Sequence, residues 1–242
     1  MKKTLSFALC TLFVVTIFAQ QDSTSQSKTK KQAIDLSNRS NDHILIQLGY
    51  TGWSGKPDSI KTGGFPKSVN VYLMLDYPFK TNPHLSMAFG PGISSDQIYF
   101  NKTYVGIKDI TTTMHFTDRS DTTHFKKTKL ATTYLEAPIE FRYSAKPLTG
   151  KGIKTAIGVK IGTLLNAHTR NAKFENKSGA VENDYVMKES SKHFFNKTRL
   201  VVTGRVGMGH ISLYGSYQVT TLLKGLGPVV RPFSFGITLS GL

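Results

Sequence analysis

The sequence contains a single cysteine, Cys10, which lies within an apolar run near the N-terminus. Cleavage of that run near Ala19 leaves a mature chain with no thiol, which excludes disulfides, thiolate metal sites and cysteine nucleophiles. Leu9 stands where a lipoprotein signal needs a small residue, so Cys10 is not predicted to carry a lipid. The exported domain must therefore be stabilised without cross-links.

Long apolar runs are also missing after residue 20. Hydrophobic residues make up 39% of the chain, mean hydropathy is −0.21, and no later segment reaches the roughly 20 apolar residues of a membrane-spanning helix. These observations exclude a helical membrane protein. They allow a transmembrane β-barrel, because only every second residue of each strand has to be apolar there.

Acidic side chains are scarce. The chain has 15 Asp and Glu against 31 Lys and Arg, a formal net charge of +16, or +14 (16 − 2) once Lys2 and Lys3 leave with the signal peptide. Such an excess favours anionic partners. For an exported chain we expect phosphate-rich lipid head groups or acidic polysaccharide, and no nucleic acid.

The N-terminus predicts export. Residues 1–19 have the layout of a signal peptide, with Lys2 and Lys3 ahead of an apolar run that ends before Ala19. A membrane anchor is the alternative, but the run is too short for a spanning helix. Residues 20–42 are polar and predict a disordered periplasmic lead-in. Residues 43–242 are left to form one domain.

From residue 43 the dominant signal has a period of two. In the segment 68–77, Val69, Val71 and Leu73 fall on one face while Ser68 and Asn70 fall on the other, which a helix cannot achieve. The fold class predicted is all-β: a single antiparallel up-and-down transmembrane β-barrel of about eight strands. The strands are predicted at 43–53, 68–77, 84–93, 131–143, 153–166, 199–208, 210–220 and 233–240.

The connections alternate in length, which indicates the outer membrane of a Gram-negative bacterium. Short periplasmic turns and longer external loops are typical of such barrels, and an even strand number leaves both chain ends in the periplasm. A soluble periplasmic lipocalin-like carrier, with its apolar face turned inward around a ligand, is the alternative. The long connections are 54–67, 98–128, 170–196 and 222–230; the short ones are 78–83, 144–152 and a turn at Gly207-Met208-Gly209.

In a membrane barrel the polar face lines the lumen. An eight-strand lumen barely holds its own side chains, and an unpaired buried charge is costly. We therefore expect Glu136 and Glu140 to pair with Lys154, Lys160 and Arg142 in a polar plug, not in a channel or a catalytic site. The complete predicted lumenal set is Asp76, Glu136, Glu140, Arg142, Lys154, Lys160, Arg199 and Arg205.

The external loops are rich in cations. Exposed lysines at the external rim could contact the phosphates of lipopolysaccharide, and ordinary solvated loop charges explain them equally well. The candidates are Lys102, Lys108, Lys126, Lys127, Lys129, Lys173, Lys177, Lys188 and Lys192.

No sequence motif points to an enzyme, a metal site or a cofactor. No two histidines have zinc-motif spacing, and the cluster His115, Asp118, Asp121 and His124 is expected to be a solvated loop. Serine, histidine and aspartate also occur together near the rim without any diagnostic spacing, so no catalytic site is predicted. Those residues are His168, Asp184, Ser190, Ser191 and His193.

The segment Tyr134 to Tyr143, YLEAPIEFRY, resembles a strand common in Bacteroidetes-type outer-membrane β-barrel domains, including PorT-like proteins. Pro138 matches the proline of that family, and Glu140 replaces an apolar position. The resemblance implies insertion by the barrel insertion machinery, with the segment 232–242 as its C-terminal signal. It leaves open a structural, ligand-binding or adhesion role, and as an alternative an accessory role in type IX protein export beside other export-machine subunits.

Overall fold

The computed structural model describes residues 43–225 and 227–241. The predicted signal peptide, the lead-in and the terminal Leu242 lie outside the described residues. None of the described residues belongs to a helix that is long and apolar enough to cross a bilayer. The strands are β1 Ile44–Ser54, β2 Thr62–Leu73, β3 Leu75–Phe79, β4 Asn82–Phe89, β5 Gly92–Phe100, β6 Thr103–Val105, β7 Phe116–Asp118, β8 His124–Ser144, β9 Ile153–Glu175, β10 Val181–Ser190, β11 Thr198–Met208, β12 Ile211–Gln218 and β13 Arg231–Ser240.

Eight of these strands close into an antiparallel ring in the order β1, β2, β5, β8, β9, β11, β12 and β13, with β13 pairing back to β1. The β3–β4 hairpin extends the ring at the short-turn end, where β4 pairs with β8. Strand β10 adds an edge to β9, and β6 and β7 form a separate small hairpin. The predicted all-β antiparallel barrel of about eight strands is confirmed.

The apolar face of the ring points outward. Val69 and Val71 are 40% and 43% exposed, whereas Asn70 between them is 3% exposed. The same division holds along β9, where Ile157 and Ile161 are exposed and Lys160 is buried. Such an arrangement suits a hydrocarbon exterior and a polar lumen. The lipocalin-like alternative is therefore wrong, because its apolar face would have to line the interior.

Two predicted long loops begin as sheet. Strand β8 already starts at His124 and β9 runs to Glu175, so their pairing continues well past the apolar belt. Above the belt the outward positions carry Lys127 and Lys129, and the apolar alternation used to recognise strands disappears there. The turn predicted at 207–209 lies one residue later, at Gly209 and His210, because Gly209 has the φ of +61° that favours glycine.

The long loops fold together into a hydrophobic cap over one end of the lumen. Each long connection contributes buried side chains, for example Ile60 from the β1–β2 connection and Phe195 from the β10–β11 connection. This loop cap consists of Ile60, Ile98, Phe100, Val105, Ile107, Met114, Leu130, Tyr134, Leu164, Ala167, Phe194, Phe195, Leu222, Leu223 and Val230, with Trp53 and Phe116 packed against it.

Two aromatic side chains at strand ends, Trp53 and Phe100, pack in or against the loop cap. The ring centroids of Trp53 and Phe100 lie 5.5 Å apart, and Phe116 lies 6.0 Å from Trp53. Period-two alternation weakens at the strand ends, so the sequence could not tell which way these rings turn. Asn196 fastens the cap further, since its Nδ2 donates hydrogen bonds to the carbonyl oxygens of Thr221 and Leu223.

The fully buried Phe195 tests whether the cap is a core of its own. We expect Phe195→Ala to cost about 3–5 kcal/mol of cap stability through the lost burial and the cavity left behind. In limited proteolysis of the folded protein, its loops should be cut faster while heat-modifiable gel mobility of the barrel is retained. The control is Ile110→Ala, since Ile110 is fully exposed. Equal cleavage of the two variants would contradict a cooperative cap.

Candidate functional site

The centre of the lumen is occupied by Arg199. Its Nε donates to Glu136 Oε1 at 2.7 Å and its Nη1 donates to Asp96 Oδ2 at 2.9 Å. Its Nη2 donates to Ser94 Oγ at 2.7 Å, and its guanidinium carbon lies 3.8 Å from the ring centroid of Tyr134. One cation therefore binds two carboxylates, and the same side chain meets the loop cap above it through Tyr134.

A second ion cluster lies closer to the short-turn end. Arg142 Nε donates to Glu140 Oε2 at 2.9 Å, and Arg205 Nη2 donates to the same oxygen at 3.2 Å. Arg142 Nη1 also lies 3.7 Å from Asp76 Oδ1. A carboxylate shared by two guanidinium groups offsets part of the cost of burying all three charges.

Lys160 contacts the Arg199 cluster through neutral groups. Its Nζ donates to Gln47 Oε1 at 2.9 Å and to Tyr72 OH at 3.0 Å, and Tyr72 in turn donates to Glu136 Oε2 at 2.6 Å. All eight side chains predicted for the lumen, Lys154 included, lie in the interior. The expected direct pairing of Lys160 with a carboxylate is replaced by this relay.

Glycines leave room for the long charged side chains. Gly162 stands opposite both Glu136 and Arg199 in the strand register, and a Cβ atom there would lie 3.0 Å from Glu136 Cγ and 3.2 Å from Arg199 Cγ. At Gly158 a Cβ atom would lie 2.3 Å from the carbonyl oxygen of Ile139. Glu136 of β8 and Arg199 of β11 can therefore meet across β9, because Gly162 of β9 places no side chain between them.

The packed lumen leaves little empty space. A cavity of about 20 Å³ remains between Asn70, Asp96, Glu136 and Arg199, which is room for a single water molecule. Together with the loop cap, these side chains fill the middle and one end of the barrel. The arrangement suits a rigid, closed cylinder.

Sequence reasoning did not find every member of the lumenal network. Asp96 lies in a segment between two predicted elements, although inward positions Ser94, Asp96 and Ile98 continue the alternation of β5. Gln47 and Tyr72 lie within predicted strands but are not among the predicted lumenal residues. Continuing the period of two through residues 94–100 is the signal that would have identified Asp96.

The predicted loop cations fall into two groups. Three have carboxylate partners: Lys126 with Glu175 at 2.9 Å, and two exposed lysines in longer contacts of 3.8–3.9 Å. Those two are Lys173, opposite Asp184, and Lys177, opposite Asp121. The other six, Lys102, Lys108, Lys127, Lys129, Lys188 and Lys192, form no ion pair within the described residues.

A row of four cations crosses the outer surface at the level where β8, β9 and β10 rise above the apolar belt. Lys129 stands directly opposite Arg170, and Arg170 directly opposite Lys188. Lys67 stands opposite Gln97, whose Oε1 accepts a hydrogen bond from Lys129 Nζ at 3.3 Å. We call Lys67, Lys129, Arg170 and Lys188 the cation row. Lys67 was not among the cations that the sequence singled out.

Comparison with known proteins agrees with this architecture. Residues 18–219 match the family model described as outer membrane protein beta-barrel domain. The chain belongs to this family. Its place is accordingly the outer membrane, as the sequence predicted. No curated protein matches the chain.

Among solved structures, this outer-membrane barrel is similar to Ail, the attachment invasion locus protein of Yersinia pestis. Against Ail in complex with the heparin analogue sucrose octasulfate, identity is 13% over 81% of this chain and 96% of Ail, with a TM-score of 0.38. Against Ail alone, identity is 12% over 82% of this chain and 97% of Ail, with a TM-score of 0.37.

At the rim of this outer-membrane barrel, the serine, histidine and aspartate side chains considered as catalytic candidates contact other groups instead of one another. Ser190 Oγ donates to Asn166 Oδ1 at 2.8 Å and to the carbonyl oxygen of Ala167 at 3.0 Å. His168 Nδ1 contacts Asn166 as well, while Asp184 faces Lys173. At the opposite end, three histidines each bring Nδ1 to a backbone carbonyl: His43 to Met74, His84 to Ser144 and His210 to Ser240.

The predicted loose group of His115, Asp118, Asp121 and His124 does not form a metal site; within the described residues no cluster of three or more His, Cys, Asp or Glu could hold a metal ion. Asp118 Oδ2 instead accepts a hydrogen bond from Lys61 Nζ at 2.7 Å, which joins the β1–β2 connection to β7. The hydrogen bond from Lys61, followed by those from Ser120, lowers the pKa of Asp118 to about 2. The same bond to Asp118 raises the pKa of Lys61.

The lumenal ion cluster predicts a large loss on removing its cation. Arg199→Met leaves the carboxylates of Glu136 and Asp96 buried without their partner, and we expect the free energy of unfolding to fall by about 3–5 kcal/mol. Urea unfolding in lipid vesicles, followed by heat-modifiable gel mobility, measures this loss. The matched control is Arg231→Met, since Arg231 is exposed. The added substitutions Glu136→Gln and Asp96→Asn should restore most of the stability, and failure to do so would contradict charge burial as the cause.

The Lys61–Asp118 pair predicts a pH response of the loops. The depressed pKa of Asp118 means that the pair is fully formed above the ordinary carboxyl value of 3.8 and is lost as the pH falls through about 2. An NMR titration should place the Asp118 carboxyl near 2, and Lys61→Met should return it towards 3.8. Lys56→Met, in the same connection, should leave it in place. An unchanged titration in the Lys61 variant would disprove the assignment.

Proposed function

We propose that this chain is a non-enzymatic outer-membrane barrel that binds the phosphate groups of lipopolysaccharide through its cation row. The observation that carries the proposal is the direct cross-strand alignment of Lys129, Arg170 and Lys188. Directly opposed residues in an antiparallel sheet have Cβ atoms about 5 Å apart, and like charges at such positions destabilise the sheet. An anion bound between them would convert that repulsion into attraction.

The row lacks neutralising carboxylates of its own. Within the described part of the chain, none of its four members forms an ion pair, although other rim lysines do. Burial, followed by the charges of Arg170, Lys188 and Lys67, lowers the pKa of Lys129. Burial and then the charges of Lys188 and Lys129 likewise lower the pKa of His168.

The height of the row suits phosphates at the membrane surface. On β2, Lys67 is two residues beyond the lipid-facing Val69, about 7 Å along the strand. On β9, the lipid-facing Leu165 precedes Arg170 by five residues. Basic side chains at this level attract anionic head groups with about 1 kcal/mol each. A row that faces outward, not into the lumen, favours binding to the surrounding leaflet.

The interior supports a binding role over transport or catalysis. A cavity of about 20 Å³ beside Arg199 holds no more than one water molecule, and the loop cap covers one end of the lumen. The seryl and histidyl groups of the rim are hydrogen-bonded elsewhere. We therefore assign a structural and ligand-binding function to the exterior of the protein.

We also propose that the chain is related to the Bacteroidetes-type, PorT-like barrels. We do not infer a role in protein export from that relation. The motif of that resemblance forms the middle of β8, where Tyr134, Glu136 and Glu140 point into the lumen and Leu135 and Ile139 point out. Each of those positions has a structural use in the barrel. The motif therefore supports membership in a barrel type and does not by itself favour contact with export subunits.

The proposal predicts a large effect of a triple substitution in the row. Lys129→Gln, Arg170→Gln and Lys188→Gln together should weaken binding of purified lipopolysaccharide by about 3 kcal/mol, roughly a hundredfold. Binding by the unaltered protein should fall with added salt and with enzymatic removal of the lipid phosphates. Calorimetric titration of the protein in neutral detergent measures both.

The control triple carries the same loss of charge at the opposite end of the barrel: Lys80→Gln, Lys146→Gln and Lys151→Gln. It should bind lipopolysaccharide as the unaltered protein does. The row triple should also be at least as resistant to urea as the unaltered protein, because it removes repulsion. Equal affinity of the two triples would refute the cation row as the binding site.

A further inference from the structure

A small cavity lies apart from the cation row, between the β6–β7 hairpin and the upper ends of β8 and β9. Its volume is about 190 Å³, and its lining includes Tyr104, Arg119, His124, Thr128 and Asn171. This is far more than one water molecule requires and less than the roughly 300 Å³ at which drug-sized pockets begin. The space suits a ligand of one small ring.

Buried polar groups line this cavity without protein partners. Thr128 and Asn171 stand directly opposite each other on the inward face of β8 and β9, and each is 3% exposed. Among the described residues, neither side chain has a hydrogen-bond partner. Buried hydroxyl and amide groups are nearly always satisfied in folded proteins. The two side chains therefore offer a hydroxyl and an amide to something that enters the cavity.

His124 adds an acceptor to the same wall. The ring is 5% exposed, and Nδ1 lies 2.9 Å from the carbonyl oxygen of Thr122. A carbonyl can only accept, so Nδ1 carries a proton, and Nε2 accepts a hydrogen bond whenever the ring holds no second proton. The Thr103 hydroxyl, which donates to the carbonyl oxygen of Asn101, has accepting capacity left as well. Mixed donors and acceptors of this kind match a ligand with several hydroxyl groups.

The mouth of the cavity carries a cation and an aromatic ring. The guanidinium carbon of Arg119 lies 5.5 Å from the ring centroid of Tyr104, and Tyr104 OH donates to Asp109 Oδ1 at 2.9 Å. Arg119 is exposed and, within the described residues, has no carboxylate partner. A guanidinium held against a ring presents its remaining N–H groups in a plane that fits a carboxylate.

We propose that this cavity binds one carboxylate-bearing monosaccharide unit, a uronic acid, at the external end of the barrel. The hydroxyl groups of the sugar would satisfy Thr128, Asn171 and His124, and the carboxylate would meet Arg119. A sugar explains the hydroxyl-matching wall and the aromatic ring together, whereas a bare phosphate or acetate would leave the inner groups unpaired. The site is separate from the cation row and does not depend on it.

The probe is sodium D-glucuronate, titrated by NMR or calorimetry into the full chain folded in detergent. Glucuronate should bind at least tenfold more tightly than D-glucose or sodium acetate. Thr128→Val and Asn171→Leu should each weaken glucuronate binding at least tenfold. Arg119→Gln should remove the preference for glucuronate over glucose while leaving glucose binding unchanged.

The matched control is Thr169→Val. Thr169 lies one inward position from Asn171, is fully buried with an unpartnered Oγ1, and does not line the cavity. The Thr169→Val variant should bind glucuronate as tightly as the unaltered protein does. Thr128→Val should keep the urea midpoint of the unaltered protein, because the hydroxyl has no protein partner to lose; a lowered midpoint would indicate a structural role and overturn the proposal. Glucuronate binding no tighter than that of glucose or acetate, or equal affinity of the Thr128 and Thr169 variants, would also overturn it.

Discussion

The width of the cylinder is the constraint on which the rest of the structure depends. An eight-strand ring encloses space only for its own side chains, so each charge that points inward must find its partner within that space. Arg199 does so by contacting Glu136 and Asp96 at once, and Gly162 leaves the gap through which two of these side chains meet. Because Arg199, Arg142 and Arg205 are paired with carboxylates inside, the apolar side chains can face hydrocarbon outside.

The same narrowness explains why the loops fold as they do. A water-filled lumen would solvate the inner charges and weaken their pairing. The loop cap covers the charged layer with apolar side chains, and Tyr134 joins the two layers, since it belongs to the cap and its ring lies against the guanidinium of Arg199. The cap and the network therefore stabilise each other. What the protein presents to its surroundings is its outer wall and its rim.

Period-two alternation was sufficient to predict the barrel, because it decides which face of a strand a residue occupies. It could not predict the partners of the lumenal side chains. Glu136 meets Arg199 only because the register sets both opposite Gly162, and register is a property of paired strands, not of one strand. Alternation also failed beyond the apolar belt, where outward positions are no longer apolar and inward ones no longer polar. There Trp53 packs against the loop cap, and β8 continues with Lys129 on its outer face. The cation row was invisible for the same reason, since Lys67 and Arg170 come together only through pairing.

The arginine charges in the lumen are paired with carboxylates, whereas the charges of the cation row are not. This difference agrees with a structural role for the lumen and the binding role proposed for the row. Inside, Arg142 of β8 and Arg205 of β11 share the carboxylate of Glu140 across β9, so these two like charges meet with a counter-charge between them. Outside, Arg170 has a cation directly opposite on either side and no carboxylate. The sheet neutralises its charges in the lumen, yet it leaves Lys129, Arg170 and Lys188 directly opposed on its outer face. This difference is the reason for our proposal that the row binds an anion from outside, the phosphates of the outer leaflet.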